Sequence, residues 1–124
     1  MLVDFEFRGD LCVIRLEGRF APAEDSFYLH TKAEELKTSG CPKILVDFNN
    51  VDYVDSTGIG FLIGIYTSIK KNPSGRFALA NASRRVREVL ELTRLAEVIQ
   101  IYPTEAAALA ALDSGKSTAS SQAS

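Results

Sequence analysis

The stretch of this chain best equipped for chemistry is residues 51–60, VDYVDSTGIG, where a hydroxyl pair, Ser56 and Thr57, sits between Asp55 and Gly58. Three reactions use parts of such a run, and each needs a part that is missing. A phosphate-cradling loop ends in Gly-Lys-Ser/Thr, and no lysine follows Gly58 or Gly60. A hydrolase elbow places glycine two residues before its serine and needs a histidine base. Here Val54 holds that position, and His30 is the single histidine of the chain. An aspartic dyad requires two carboxylates sharing a proton, and only Asp55 stands in an Asp-Ser/Thr-Gly setting. Cys12 and Cys41 are too few and too poorly spaced for a zinc site or a disulfide framework, and read as free thiols of a reducing cytoplasm. The expectation is a protein that is not an enzyme and carries no cofactor and no metal.

Two roles for the hydroxyl pair remain open. Ser56 or Thr57 caps a helix, a contribution of ~1 kcal/mol. Alternatively Ser56 is itself a substrate, a hydroxyl on a glycine-cleared turn that a kinase can reach. Phosphorylation there adds about −1.5 to −2 charges, which a helix N-terminus partly accommodates. Asp52 and Asp55 sharpen the local negative potential, so a partner surface matched to the free hydroxyl is repelled.

The elements that must position this run follow from periodicity. Leu2–Phe7 and Leu11–Leu16 alternate around Arg8-Gly9-Asp10 and predict a β-hairpin. Residues 23–39 predict a helix with Phe27, Ala33 and Leu36 among charges, stopped by Gly40 and Pro42. Lys43–Phe48 (KILVDF) reads as a strand buried on both faces. Helix is then expected over Ile59–Lys71, strand over Arg76–Ala80, helix over Ser83–Glu91 with Ser83 as N-cap, a strand in EVIQIY, and a last helix from Pro103-Thr104 to Leu112. The order β-β-α-β-α-β-α-β-α implies one α/β domain over 1–112 with a mostly parallel or mixed sheet. Residues 113–124 carry no apolar residue beyond alanine and are expected to be disordered.

In the helix after Ser56, the core stripe is expected at Ile59, Leu62, Ile63, Tyr66 and Ile69. Phe61 and Ile65 then fall on the outer side with Gly60, Gly64 and Ser68, as a partner surface beside Ser56. Global properties agree with a binding module. With 14 basic and 16 acidic residues the net charge is −2, which argues against nucleic acid as partner. The longest apolar run, Ile59–Tyr66, is too short to span a bilayer, and the first residues lack a secretory signal, so a cytoplasmic protein with no membrane partner is expected. A nucleotide or small-molecule sensor using Arg84, Arg85 and Arg87 is a further reading, although the same arginines suit an ordinary solvated helix face.

With their flanks, these residues resemble the anti-sigma factor antagonist family, the bacterial branch of STAS domains, over roughly residues 3–112. The most specific parts are ILVDFNNVDYVDSTGIGFLIGIYTSIK and FALANASRRVREVLELTRLAEVIQIYPTEAAAL. The resemblance implies a mixed sheet of about five strands flanked by about four helices, and no catalytic activity. It implies binding to an anti-sigma factor that is also a serine kinase, in a partner-switching pathway of transcription regulation. Ser56 is then the phosphorylation site that breaks the complex, and a serine phosphatase resets it. Asp55, Thr57 and Gly58 match the family's loop positions, and Gly60 with Phe61 its neighbouring helix face. One departure is Gly18-Arg19-Phe20-Ala21, where many members have Gly-x-Leu-Asp: Ala21 replaces the acidic residue near the partner surface. An alternative is a non-switching STAS subunit of a transport-associated or sensory complex, with Ser56 merely a cap.

Overall fold

The computed structural model describes residues 2–20 and 26–114, with the backbone alone at Leu2, Phe20, Ser26, Ser56, Thr57, Asp113 and Ser114. Alternation in the first two runs gives a hairpin of β1 (Leu2–Arg8) and β2 (Leu11–Phe20), turning at Gly9, whose φ is 62°. The remaining elements are α1 (Ser26–Ser39), β3 (Lys43–Val54), α2 (Ser56–Lys70), β4 (Arg76–Ala80), α3 (Arg84–Leu92), a 3-10 turn at Leu95–Glu97, β5 (Gln100–Tyr102) and α4 (Glu105–Ser114). This is the expected order. The sheet runs β1-β2-β3-β4-β5; β1 is antiparallel to β2 and every later pair is parallel.

Period-2 geometry sorts the central strands onto two faces. Cys12, Ile14 and Leu16 of β2, Ile44, Val46 and Phe48 of β3, and Phe77 and Leu79 of β4 point to one side. There they pack with Leu29 and Leu36 of α1, Ile59, Leu62 and Ile65 of α2, and Val86 and Leu90 of α3. The other side offers Leu11, Val13, Leu45, Ala78 and Ala80, covered by Ala108 and Leu112 of α4. KILVDF is therefore buried on both faces, as its composition predicts.

Caps at two helix starts follow the sequence. Ser83 Oγ accepts the Val86 N–H at 3.2 Å. Thr104 Oγ1 accepts the Ala107 N–H at 3.1 Å, and its carbonyl accepts the Ala108 N–H. The buried face of α1 and the end of α4 differ from expectation. Phe27 of α1 stays 84% exposed, while Leu29 and Leu36 supply the buried stripe with Ala33 half-buried between them. Helix α4 runs two residues past Leu112, to Ser114. Residues 21–25, including Ala21, and residues 115–124 of the expected tail lie outside the described residues.

Candidate functional site

Strand β3 continues six residues beyond Phe48, and this extension builds the site. Its pairing with β4 ends at Asp47↔Ala80. Its pairing with β2 goes on through Gly18↔Val51, Arg19↔Tyr53 and Phe20↔Val54. The register shifts between Arg15 and Glu17 and again between Gly18 and Arg19, where Gly18 takes a φ of 97°. Bulges of this kind raise local twist and re-aim a strand end. The Arg19 guanidinium lies 4.4 Å from the centre of the Tyr53 ring, a cation–π contact at the tip. Val51 and Val54 anchor the extension in the core, and Asp52 remains exposed.

Asp55 follows the strand in an extended conformation and caps α2. Its Oδ1 accepts the Gly58 N–H at 3.0 Å, and its carbonyl accepts the Ile59 N–H at 3.0 Å. The N-cap position thus belongs to Asp55 and not to either hydroxyl residue, which corrects the capping role read for Ser56 or Thr57. Ser56 becomes the first helical residue and Thr57 the second; their side chains lie outside the described structure. Helix α2 also starts three residues earlier than its apolar periodicity suggests.

The earlier start goes with a rotated stripe. Gly58, Ile59, Leu62 and Ile65 are buried, with Phe61, Tyr66 and Ile69 half-buried against the core. At ~100° per residue, this arc is turned by ~50° from the one expected. Two site residues are corrected as a result. Ile65 is 4% exposed, a core residue and not a partner contact. Phe61 packs partly into the core and does not point away from it. Ile63, expected inside, is 44% exposed. It lies on the open face with Gly60, Gly64 and Thr67. An added Cβ on Gly60 or Gly64 would meet no atom within 4 Å. Of the expected residues, Asp55 and Gly58 are joined by a hydrogen bond, and Gly60 stands on the accessible face.

A second polar centre lies on the α4 face, centred on Arg15. Its Nη1 donates to Asp47 Oδ2 at 2.8 Å and to Glu105 Oε1 at 2.7 Å, and its Nη2 to Glu6 Oε1 at 3.1 Å. Asp47 Oδ1 also accepts the Asn49 N–H and the Asn81 side-chain N–H, each at 2.9 Å. Asn81 is held in the left-handed region, at φ 62°. These bonds, led by Glu105, strengthen the hold of Arg15 on its proton. Arg8 and Arg15 hold the Glu6 carboxyl below its usual range. Sequence reading missed this centre. Its signal was a charge at the inward position of Leu11-x-Val13-x-Arg15, matched by the acid in KILVDF.

The arginines of α3 do not form an anion site. Arg84 is exposed and 3.7 Å from Glu88, and the shallow depression beside it mixes Arg84 and Arg87 with Glu88 and Glu91. Among the described residues no His/Cys/Asp/Glu group could hold a metal ion, and no helix is long and apolar enough to cross a membrane. Cys12 and Cys41 are buried free thiols. Burial pushes Cys12 up to about 12 and raises Cys41 as well.

The sheet order, the Asp55-capped α2 and the helix layers agree with a family comparison: the STAS domain model matches residues 3–108. The chain belongs to the STAS domain family. Within that family it is similar to the anti-sigma F factor antagonist of Paenibacillus polymyxa, 23% identical over 90% of this chain and 94% of the relative. It is 34% identical to the TM1081 homolog of Thermotoga neapolitana, over 61% of this chain and 66% of that one. Among solved structures, an anti-sigma-factor antagonist (STAS) domain protein from Planctomyces limnophilus matches with a TM-score of 0.75 and 27% identity, covering 90% of this chain and 97% of that one. Unphosphorylated SpoIIAA shares the fold at a TM-score of 0.75 and 23% identity, over 91% and 97% of the two chains. A sulfate transporter family protein from Wolinella succinogenes shares it at 0.68 and 17%, over 89% and 90%.

Proposed function

We propose that this STAS domain is an anti-sigma factor antagonist whose binding to an anti-sigma factor with serine kinase activity is switched off by phosphorylation of Ser56. A serine phosphatase restores the binding form. The domain itself is a non-enzymatic, cytoplasmic regulator. The observation that carries this reading is the capping of α2 by Asp55. It makes Ser56 the first helical residue, next to the open face of Gly60, Ile63 and Gly64. Asp55, Ser56, Thr57, Gly60 and Ile63 then form the partner surface, flanked by Phe61, while the expected contact Gly58 is buried beneath it and holds the Asp55 cap. The relatives' names support the antagonist role. SpoIIAA, whose fold this chain shares, has both an unphosphorylated and a phosphorylated form.

The switch acts at the interface. A phosphate at the start of α2 gains roughly 0.3–1 kcal/mol from the helix dipole, which offsets repulsion from Asp52 and Asp55 within the folded domain. Across an interface no such offset exists, and like charges brought together cost several kcal/mol. At 1.4 kcal/mol per tenfold, binding weakens by ~100-fold or more. The test mixes the purified chain with an anti-sigma factor kinase and ATP. One phosphate on Ser56 by mass spectrometry, weak binding by Ser56→Asp and constitutive binding by Ser56→Ala are the expected results. Phosphate on Thr57, or a Ser56→Asp variant that binds like wild type, would refute the switch. The second of these outcomes favours a non-switching STAS subunit of a transport-associated complex, a use of the fold suggested by the sulfate transporter relative.

A further inference from the structure

The two faces of the sheet are held very differently. Among the described residues the main core gathers twenty-one buried apolar residues, while the cluster under α4 has seven, three of them alanines. The apolar contribution of α4 is Ala108 and Leu112, with Leu109 half-buried. A face this thin holds its helix with little hydrophobic driving force. Charge supplements it. The Glu105 carboxylate takes both arms of the Arg15 guanidinium, at 2.7 Å from Nη1 and 3.3 Å from Nη2, a bidentate pair of the stronger kind.

The sheet residues of this pairing keep partners when α4 is taken away. Arg15 retains Asp47 at 2.8 Å and Glu6 at 3.1 Å, both on strands. Asp47 retains the Asn49 and Asn81 N–H groups. Glu105, already half-exposed, passes into water. Opening therefore strands no buried charge, which is what normally makes breaking an ion pair costly. The helix sequence EAAALAALDS is rich in strong helix formers, so little backbone conflict opposes re-docking.

We infer that α4 is a lid latched to the sheet by the Arg15–Glu105 pair, which opens and recloses while the core around β2, β3 and β4 stays folded. Opening uncovers the strip Leu11, Val13, Leu45, Ala78 and Ala80, on the side of the sheet opposite α2. This holds whether or not Ser56 is a switch.

Native-state hydrogen exchange on the full chain, read amide by amide, tests it. In wild type the amides of residues 109–112 should exchange at least ~100-fold faster than those of Leu45 and Ala78, and with a weaker urea dependence, as a local opening exposes little surface. Glu105→Gln leaves the sheet's own pairs intact and should speed α4 exchange by a further ~10-fold without moving Leu45 or Ala78. Leu112→Ala should do the same through the apolar half of the contact. A single shared rate and urea slope for α4 and the central strands would overturn the lid. So would a Glu105→Gln variant in which both groups of amides accelerate together.

Discussion

Gly60 and Gly64 make a demanding test of where this protein has traded stability for contact. They lie one turn apart inside α2, on its solvent side, with nothing within 4 Å of the position a Cβ would take. Neither has the positive φ that would require glycine. A glycine at such a helix position costs roughly 0.5–1 kcal/mol relative to alanine, chiefly through backbone entropy. Gly60→Ala with Gly64→Ala should therefore stabilise the domain by about 1–2 kcal/mol, or roughly 3–8 °C in Tm for a chain of this size. Urea and thermal unfolding measure this directly. The same double variant should bind the partner at least ~10-fold more weakly, because two methyls intrude on a close approach beside Ile63. Gly75→Ala is the control of opposite sign: its added Cβ would collide with the Ile69 carbonyl, so stability must fall. A double variant no more stable than wild type would refute the open-face geometry. A stabilised variant with unchanged affinity would show that the glycines serve no partner.

Three other outcomes are expected. Asp55→Ala should cost ~1 kcal/mol of stability, read by urea unfolding, because the Gly58 N–H loses its acceptor; Asp55→Asn, an equally good cap, should restore it. Ile63→Asp should abolish partner binding in a titration while changing stability by less than about 1 kcal/mol, since the side chain is already 44% exposed; a loss like that of a core isoleucine would return Ile63 to the interior. The folded chain holds the Cys12 proton to about 12 because the thiol is buried, whereas the unfolded chain releases it near ~8.5. Stability from this group is thus complete below pH ~8.5 and falls as pH rises towards about 12. Cys12→Ala should flatten that alkaline decline in urea titrations at several pH values, and parallel slopes would exclude burial of the thiol.

What the sequence made legible, it did through local pattern. The hairpin, β4 and the Ser83-capped α3 follow from period-2 alternation and a capping residue next to its helix. The extension of β3 was hidden because Asn49 and Asn50 look like a turn; only pairing with the distant tail of β2 keeps them in a strand. Helix α2 was read three residues short because Ser56, Thr57 and Gly58 are weak helix formers, and the carboxylate before them supplies the cap. That same glycine, buried without a side chain, concealed the true centre of the buried arc, so Ile63 and Ile65 were exchanged. The Arg15 centre joins β1, β2, β3 and α4 across up to ninety residues of chain, a distance that periodicity does not bridge.

The strand order of the sheet has a consequence for how the protein is made. Strands lie side by side in the order in which the chain runs, so each new strand meets a neighbour that has already been synthesised. Only β1 and β2 close a short loop; the parallel pairs join residues far apart in the chain, as in Leu11↔Lys43, Lys43↔Arg76 and Ala78↔Gln100, and such crossovers slow folding. Starting from the β1–β2 hairpin, each parallel strand can dock once the helix that connects it has been synthesised. The face carrying Val13, Leu45 and Ala78 waits longest for its cover, because α4 follows all five strands in the chain. A ribosome stalled before Glu105 therefore leaves the apolar strip of Leu11, Val13, Leu45, Ala78 and Ala80 without its cover.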